Sequence, residues 1–359
     1  MSSPEPPLTQ RREGIVGVVE ALAFDAIIDA RSPAEFAEDH LPGAINLPVL
    51  DDDERARIGT LHKQVSAFEA KKAGAALVSR NIARHLEQAL ADKPRNYRPL
   101  VYCWRGGNRS GAFTTVLRAI GWGACQMEGG YKAFRRHVIG ELAVLAERFD
   151  FHVICGPTGV GKSRFLKALG QCGAQVLDLE ELAAHMGSVL GAYPDRPQPA
   201  QKLFETRVWH TLRGFDPGKP VFVESESRKI GNLHTPEHLL AHMRAAQCVN
   251  LSADIPVRVA LLKQEYAHFL ADAETLNRQL DCLAPLLGRE RVDAWKQQAL
   301  AGRWDELVGD LLVHHYDPAY GRSLDRNYSR AESGPVLQLA APDPESVLDL
   351  AKRFLSGHA

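Results

Sequence analysis

The chain predicts an α/β fold in two consecutive domains. Short apolar runs of strand character alternate with helical spacing along its length. Two glycine-rich turns, in YCWRGGNRSGA (102–112) and VICGPTGVGKS (153–163), each sit between an apolar run and a helical pattern. A length of 359 residues also suggests more than one domain. The 45% apolar and 24% charged composition is ordinary for a chain that buries real cores. Net charge is -1, so a polyanionic partner must be held by local patches and not by the overall field.

The elements follow in order. AFDAIIDARSP (23–33) predicts a strand ending at polar residues. PAEFAEDHLPGAINLP predicts a short helix, a turn at Pro42-Gly43 and a second strand. RPLVYC (98–103) is a buried strand feeding the turn after Cys103, and SGAFTTVLRAIGWG is spaced as a helix with Ser110 near its start. A second unit opens at 151, with further strands at 220–224 and 247–251. It is mostly helical from about 254 to 316 and closes with a strand and helix at 335–355. The domains are expected at 12–140 and 150–355.

Residues 54–98 predict a long helical insertion in the first domain, with ten basic residues against four acids. A solvated helix face is the common meaning of such a run. If the substrate is nucleic acid, Lys63, Lys71, Lys72, Arg80 and Arg84, with Arg135 and Arg136 further on, are candidate phosphate contacts.

Gly156-Pro-Thr-Gly-Val-Gly161-Lys162-Ser163 satisfies the P-loop pattern between a strand and a helix. Gly156, Gly159 and Gly161, with Thr158, let backbone N–H groups converge on phosphate oxygens at a helix N-terminus. Lys162 would reach the terminal phosphates, and Ser163 could ligate Mg²⁺. Glu224 and Glu226, at the end of PVFVESES, are candidate partners for that metal, and Arg258 is a candidate lid arginine.

The six cysteines (103, 125, 155, 172, 248, 282) form no CxxC pair and no metal-ligand spacing, which speaks against a disulfide framework or zinc site and fits a reducing cytosol. Cys103 stands apart, because Cys-x5-Arg ending at Arg109 is the spacing of a backbone cradle for a tetrahedral oxyanion. Its loop comprises Trp104, Arg105, Gly106, Gly107, Asn108 and, beyond Arg109, Ser110. Loop N–H groups and an arginine favour a thiolate nucleophile. Phosphate and a selenium species both suit the cradle, and the spacing does not choose between them. Cys125 is a candidate resolving thiol. The polar, proline-bearing N-terminus has no signal-peptide core, and no stretch approaches about 18 uninterrupted apolar residues. The expectation is a cytoplasmic protein with no membrane span.

DARSPAEF, HLPGAINLP, the Cys103 loop and EGGYKAFRR together closely resemble a rhodanese-like domain, with Cys103 at the strand's C-terminal end. With the basic insertion and the P-loop unit, the pairing resembles the bacterial tRNA 2-selenouridine synthase family from about residue 12 to 355. The segments carrying that resemblance are GTLHKQVSAFEAKKAGAALVSRNIARHLE, YCWRGGNRSGA, MEGGYKAFRR, GPTGVGKS, QPAQKLFE, VESESRKIG and HHYDPAYGRS.

The resemblance implies a rhodanese-like parallel-sheet domain followed by a P-loop NTPase-like domain with a helical C-terminal part. It implies exchange of the sulfur of wobble 2-thiouridine in tRNA for selenium from selenophosphate, through an S-geranylated intermediate made from geranyl diphosphate. Cys103 would carry or deliver selenium, with Arg109 and the loop amides holding the anion. The P-loop would hold the prenyl diphosphate or a nucleotide, and Trp104 would stack on a base or pack internally. A selenophosphate-producing enzyme is an implied partner. Two departures stand out: Val-Glu-Ser-Glu (223–226) where Val-Glu-Asp-Glu is expected, and Met186 where an arginine is expected. No role passes to Met186. The alternative is a rhodanese-fold cysteine phosphatase or sulfurtransferase with a P-loop regulatory domain.

Overall fold

The computed structural model describes residues 14–188, 190–328 and 330–357. The chain divides into two units, one running to Glu141 with Glu205–Arg207, the other comprising Leu142–Phe204 and everything from Val208 onward.

The first unit contains β1 (Ile15–Val16), β2 (Ala26–Asp29), α1 (Pro33–Glu38), β3 (Ala44–Asn46), α2 (Asp52–Gln64), α3 (Ala67–Glu87), β4 (Pro99–Tyr102), α4 (Asn108–Ile120) and β5 (Cys125–Met127). The break between units falls within α5 (Gly130–Leu145). Its strands form a wholly parallel sheet in the order β1-β5-β4-β2-β3. Parallel neighbours need crossovers, so helices cover the faces and the central strands are apolar. Ile28 and Val101 pack with Phe113 and Leu117 of α4 and Ile82 of α3. β4 lies centrally, which places Cys103 at its C-terminal end.

The paired motifs of the N-terminal half form the scaffold under that end. Asp29 and Arg31 are fully buried and bidentately bonded, with Nη2–Oδ2 at 2.6 Å. Arg31 also donates to the Asp39 carbonyl at 2.6 Å and lies 4.0 Å from the Tyr131 ring centroid. Asn46 donates its amide to the carbonyls of Asp29 and Arg31, locking β3 onto the loop after β2.

The insertion is two helices, α2 and α3, and not helix to residue 98. The helix stops at Glu87, and Gln88–Arg98 runs through turns containing Pro94, which has no N–H to continue it. Asn81 ties α3 back by bonding the Val49 carbonyl and the Glu54 carboxylate.

The second unit contains β6 (Phe151–Cys155), α6 (Lys162–Gln171), β7 (Gln175–Leu177), α7 (Leu179–Ala183), α8 (Gln201–Arg213), β8 (Val221–Glu224), β9 (Lys229–Ile230), β10 (Leu233–His234), α9 (Glu237–Ala245) and β11 (Gln247–Ser252). Helices α10 (Ile255–Glu265), α11 (Ala267–Ala271), α12 (Ala273–Leu280), α13 (Ala284–Leu287), α14 (Arg289–Leu300), α15 (Trp304–Leu311) and α16 (Asp317–Asn327) follow, then β12 (Val336–Gln338) and α17 (Pro344–Leu355). Its sheet, β12-β11-β6-β8-β7, is parallel throughout, with β6 at its centre. The expected helical run to 316 is interrupted. Leu312–Tyr316 forms a π turn directly before Pro318, whose ring obstructs ordinary helix continuation.

Among the described residues, no helix is long and apolar enough to cross a membrane.

Candidate functional site

The Cys103 loop is tightly built. Gly106 takes φ +64°, and a Cβ there would lie 2.5 Å from the Met127 carbonyl. Across from it, a Cβ on Gly130 would lie 2.2 Å from the Cys103 carbonyl, so only glycine permits this approach. Tyr131 and Lys132 then donate backbone N–H groups to the carbonyls of Cys103 and Trp104. Gln126 gathers the carbonyls of Gly106 and Gly107. With the carbonyls held outward, the N–H groups of Trp104 to Gly107 make no bond to another backbone group among the described residues.

Cys103 is buried and accepts a hydrogen bond from the Ser110 hydroxyl at 3.1 Å. Arg109, at the first turn of α4, donates to both Glu35 oxygens at 2.7 and 3.3 Å. Arg55, at the start of the insertion, pairs with the same carboxylate at 3.0 Å. Burial alone would push Glu35 up. The hydrogen bond and charge of Arg109 outweigh it, aided by the Ser32 N–H and Arg55, and hold Glu35 below its ordinary range. Two cations therefore converge at the mouth of an amide-lined loop with a buried thiol at its base. Trp104 is half-buried and packs 5.3 Å from the Tyr131 ring. Asn108 and Arg105 are exposed.

The P-loop has a different character. Gly156, Gly159 and Gly161 all take positive φ, and a Cβ on Gly156 would lie 2.7 Å from the Leu251 carbonyl. Lys162 folds back to donate to the Gly156 carbonyl at 2.8 Å. Ser163 donates to Glu180 at 2.7 Å and Glu224 at 3.4 Å, and Glu224 also accepts the Glu180 N–H at 2.9 Å. Carboxylate oxygens of Glu180, Glu224 and Glu226 lie within 4.8 Å of one another. Burial, then the charges of Glu180 and Asp178, push Glu224 well above its ordinary value. Burial and Glu180 push Glu226 up to about 8 despite Lys162. Two buried carboxyls and the half-buried Glu180 beside a serine hydroxyl are a hard-oxygen donor set short of positive charge, and they fit a Mg²⁺ ion.

Lys162, Ser163, Glu180 and Glu226 line a cavity of about 460 Å³ together with Met186, Tyr193, Tyr266, Tyr316 and Tyr320. Next to it lies an apolar recess formed by Leu190, Phe269, Leu276, Trp304, Leu307 and Leu311, and Thr158, Leu262, Tyr266 and Tyr316 belong to both walls. Tyr320 holds the start of the loop by accepting the Gly156 N–H at 2.6 Å.

Two family models match the chain: a tRNA 2-selenouridine synthase AAA domain over residues 149–336 and a rhodanese-like domain over residues 18–137. The tRNA 2-selenouridine synthase of Marinobacter nauticus is 32% identical over 349 residues, covering 88% of this chain and 92% of the relative. That of Bdellovibrio bacteriovorus is 35% identical, with 84% and 89% covered. The chain belongs to the tRNA 2-selenouridine synthase family. The synthase of Nitrosomonas europaea is 36% identical over 249 residues, which cover 68% of this chain and 64% of that relative's length.

Within this family frame, the structure brings together Cys103, Arg109 and Ser110 in one cradle, and Lys162, Ser163, Glu224 and Glu226 in another. Three expectations change. Arg258 is no lid: it is buried, donates to the Thr158 carbonyl at 2.7 and 3.0 Å and pairs with Asp317, so it is a strut beneath the P-loop. Cys125 pairs in register with Leu100, three residues before Cys103, or about 10 Å down the strands, too far to resolve a bond at Cys103. Arg135 is ion-paired to Glu205 and near Asp39, whereas Lys63, Lys71, Lys72, Arg80, Arg84 and Arg136 are exposed.

Four residues escaped the sequence reading. Glu180 follows β7 in an acidic run, DLEE, that resembles an ordinary helix start. Glu35 reads as a helix cap and does serve as one, in addition to holding Arg109. Tyr320 lies in the HHYDPAYGRS segment with no motif of its own. Phe68, beside the turn between α2 and α3, is 71% exposed, with Lys72 one turn on.

Proposed function

We propose that this family member replaces the sulfur of wobble 2-thiouridine in tRNA with selenium from selenophosphate, through an S-geranylated intermediate made from geranyl diphosphate. The observation that carries the reading is the P-loop cavity's shared wall with an apolar recess. A phosphate cradle beside a hydrocarbon-lined space suits an amphiphile with a diphosphate head and an apolar tail better than it suits a nucleotide.

The chemistry is coherent. A thiocarbonyl sulfur is a poor leaving group on carbon, and alkylation lets it depart as a thiol. In the first step the sulfur attacks C1 of the prenyl donor, the C–S bond forms and the C–O bond breaks. Lys162, released from the Gly156 carbonyl, and the loop amides would stabilise the departing charge. A magnesium ion held by Ser163, Glu180, Glu224 and Glu226 would add positive charge there. In the second step a selenium nucleophile delivered from the Cys103 loop attacks the ring carbon and expels geranyl thiol. The exposed cations of α2 and α3 supply phosphate contacts for tRNA, and Phe68 supplies an aromatic face for an unpaired base. A selenophosphate-producing enzyme must act upstream.

The test is nucleoside mass spectrometry of 2-thiouridine tRNA incubated with protein and selenophosphate, with and without geranyl diphosphate. The expected product is 2-selenouridine, dependent on geranyl diphosphate. Equal yield without the prenyl donor would remove the geranylated intermediate, and aryl phosphate hydrolysis without selenouridine would favour the phosphatase reading.

A further inference from the structure

We propose that Cys103 reacts with selenophosphate at phosphorus, forming a transient S-phosphocysteine and releasing selenide as the nucleophile. This rests on selenophosphate being the donor, as assigned above.

The electron count is the first support. Selenium is at the selenide level both in selenophosphate and in 2-selenouridine, so the exchange needs no net oxidation or reduction. If the Cys103 thiolate attacked selenium, an S–Se bond would form and the P–Se electron pair would stay on phosphorus, releasing phosphite. The resulting perselenide would then need a reductant to deliver selenide. Attack at phosphorus requires none. The S–P bond forms, and the P–Se bond breaks with its electron pair leaving on selenium as hydrogen selenide. Water later cleaves the S–P bond, giving phosphate and restoring the thiol.

The loop geometry is the second. Five residues separate Cys103 from Arg109, and the loop closes on α4, whose cap residue Gly107 offers no side chain to its first N–H groups. The N–H groups of Trp104 to Gly107, which bond no backbone group among the described residues, and the α4 N-terminus are donors for the three non-bridging oxygens of a phosphoryl group. Glu35 fixes Arg109 by a two-point contact that leaves the guanidinium partly exposed at the loop mouth. A terminal persulfide or perselenide carries one anionic atom and uses few of these donors.

The third is Ser110. Its buried hydroxyl donates to Cys103 Sγ at 3.1 Å, the stabilisation a thiolate needs when it departs from phosphorus. Its loss should slow S–P cleavage by about tenfold to a hundredfold, the usual worth of a hydrogen bond to a charged atom.

The experiment uses the full chain with selenophosphate labelled with ³³P, acid-quenched at short times. Protein-bound ³³P, ³¹P NMR of the released phosphorus and 2-selenouridine are followed together. The proposal expects bound label in the wild type and none in Cys103→Ser. In Ser110→Ala, label should accumulate and decay about tenfold or more slowly, and the released phosphorus should be phosphate. Phosphite release, or selenium on Cys103 without ³³P while 2-selenouridine still forms, would overturn attack at phosphorus and leave the function standing. If selenophosphate yields neither label nor 2-selenouridine, but free selenide does yield it, the donor assignment falls and this step with it.

Discussion

The Cys103 loop and the P-loop are built on one plan. Each follows the central strand of a five-stranded parallel sheet, turns through at least one glycine with positive φ and ends at a helix N-terminus. They differ in what surrounds the loop. Around Cys103, Arg109 and Arg55 share the single carboxylate of Glu35, leaving the mouth cationic. Around the P-loop, Glu180, Glu224 and Glu226 crowd Ser163, and Lys162 turns to a backbone carbonyl. The first cradle suits an anion alone and has a buried thiol at its base. The second suits an anion accompanied by a metal ion and, on the proposed reading, holds a leaving group. The proposed division into two steps rests on this difference in counter-charge over a similar backbone.

That contrast can be broken most severely at the nucleophile. Cys103→Ser should abolish 2-selenouridine formation while leaving prenylation of the thiouridine near the wild-type rate, read by nucleoside mass spectrometry. Loss of both products would mean that the two cradles are not separate in function. A next-largest effect is expected from Lys162→Ala, which should reduce S-geranylation by roughly 100-fold, the scale of one preorganised charge-stabilising donor.

Glu35→Gln sharpens the first cradle. It removes the carboxylate that orients Arg109, so selenium transfer should fall by about tenfold with KM for selenophosphate rising, the magnitude of a hydrogen bond to a charged group. Prenylation should be untouched, as the partners of Glu35 are Ser32, Arg55 and Arg109, all at the first cradle.

The last effect is on stability, a pH dependence at the second cradle. Glu226 keeps its proton up to about pH 8 in the folded chain, whereas an unfolded glutamate releases it near 4.3. The unfolded state therefore binds fewer protons over this window, and stability falls as pH rises from about 4.5 to 8, then levels. In metal-free buffer, Tm should fall across that range for the wild type and less for Glu226→Gln. Mg²⁺ should restore the wild-type value at pH 8 by binding the ionised carboxylates. A wild-type Tm indifferent to both pH and Mg²⁺ would refute the metal reading of the carboxyl cluster.

Much of this was legible in the sequence because both cradles are local. A strand, a glycine turn and a helix start within about a dozen residues leave a readable spacing, and Cys103, Arg109, Lys162 and Ser163 all belong to such runs. The groups that set the counter-charge come from elsewhere in the chain. Glu35 reaches Arg109 across 74 positions and Glu180 reaches Ser163 across 17. Nothing local marks either as more than a helix-start acid. Arg258 misled for the same reason, since its partners Thr158 and Asp317 lie 100 and 59 positions away. The end of α3 was overrun because helical composition continues past Glu87, and the turns before Pro94 decide the matter. Short strands such as β1 and β7 are supported by sheet neighbours and carry little pattern of their own.

The most direct test of two cradles serving two steps bypasses the first of them. tRNA already carrying S-geranyl-2-thiouridine is given, with selenophosphate, to wild-type protein, Lys162→Ala and Cys103→Ser, and 2-selenouridine is measured over time. The account predicts that Lys162→Ala matches the wild type on this substrate while Cys103→Ser forms no product. Failure of Lys162→Ala, or wild-type turnover by Cys103→Ser, would contradict it.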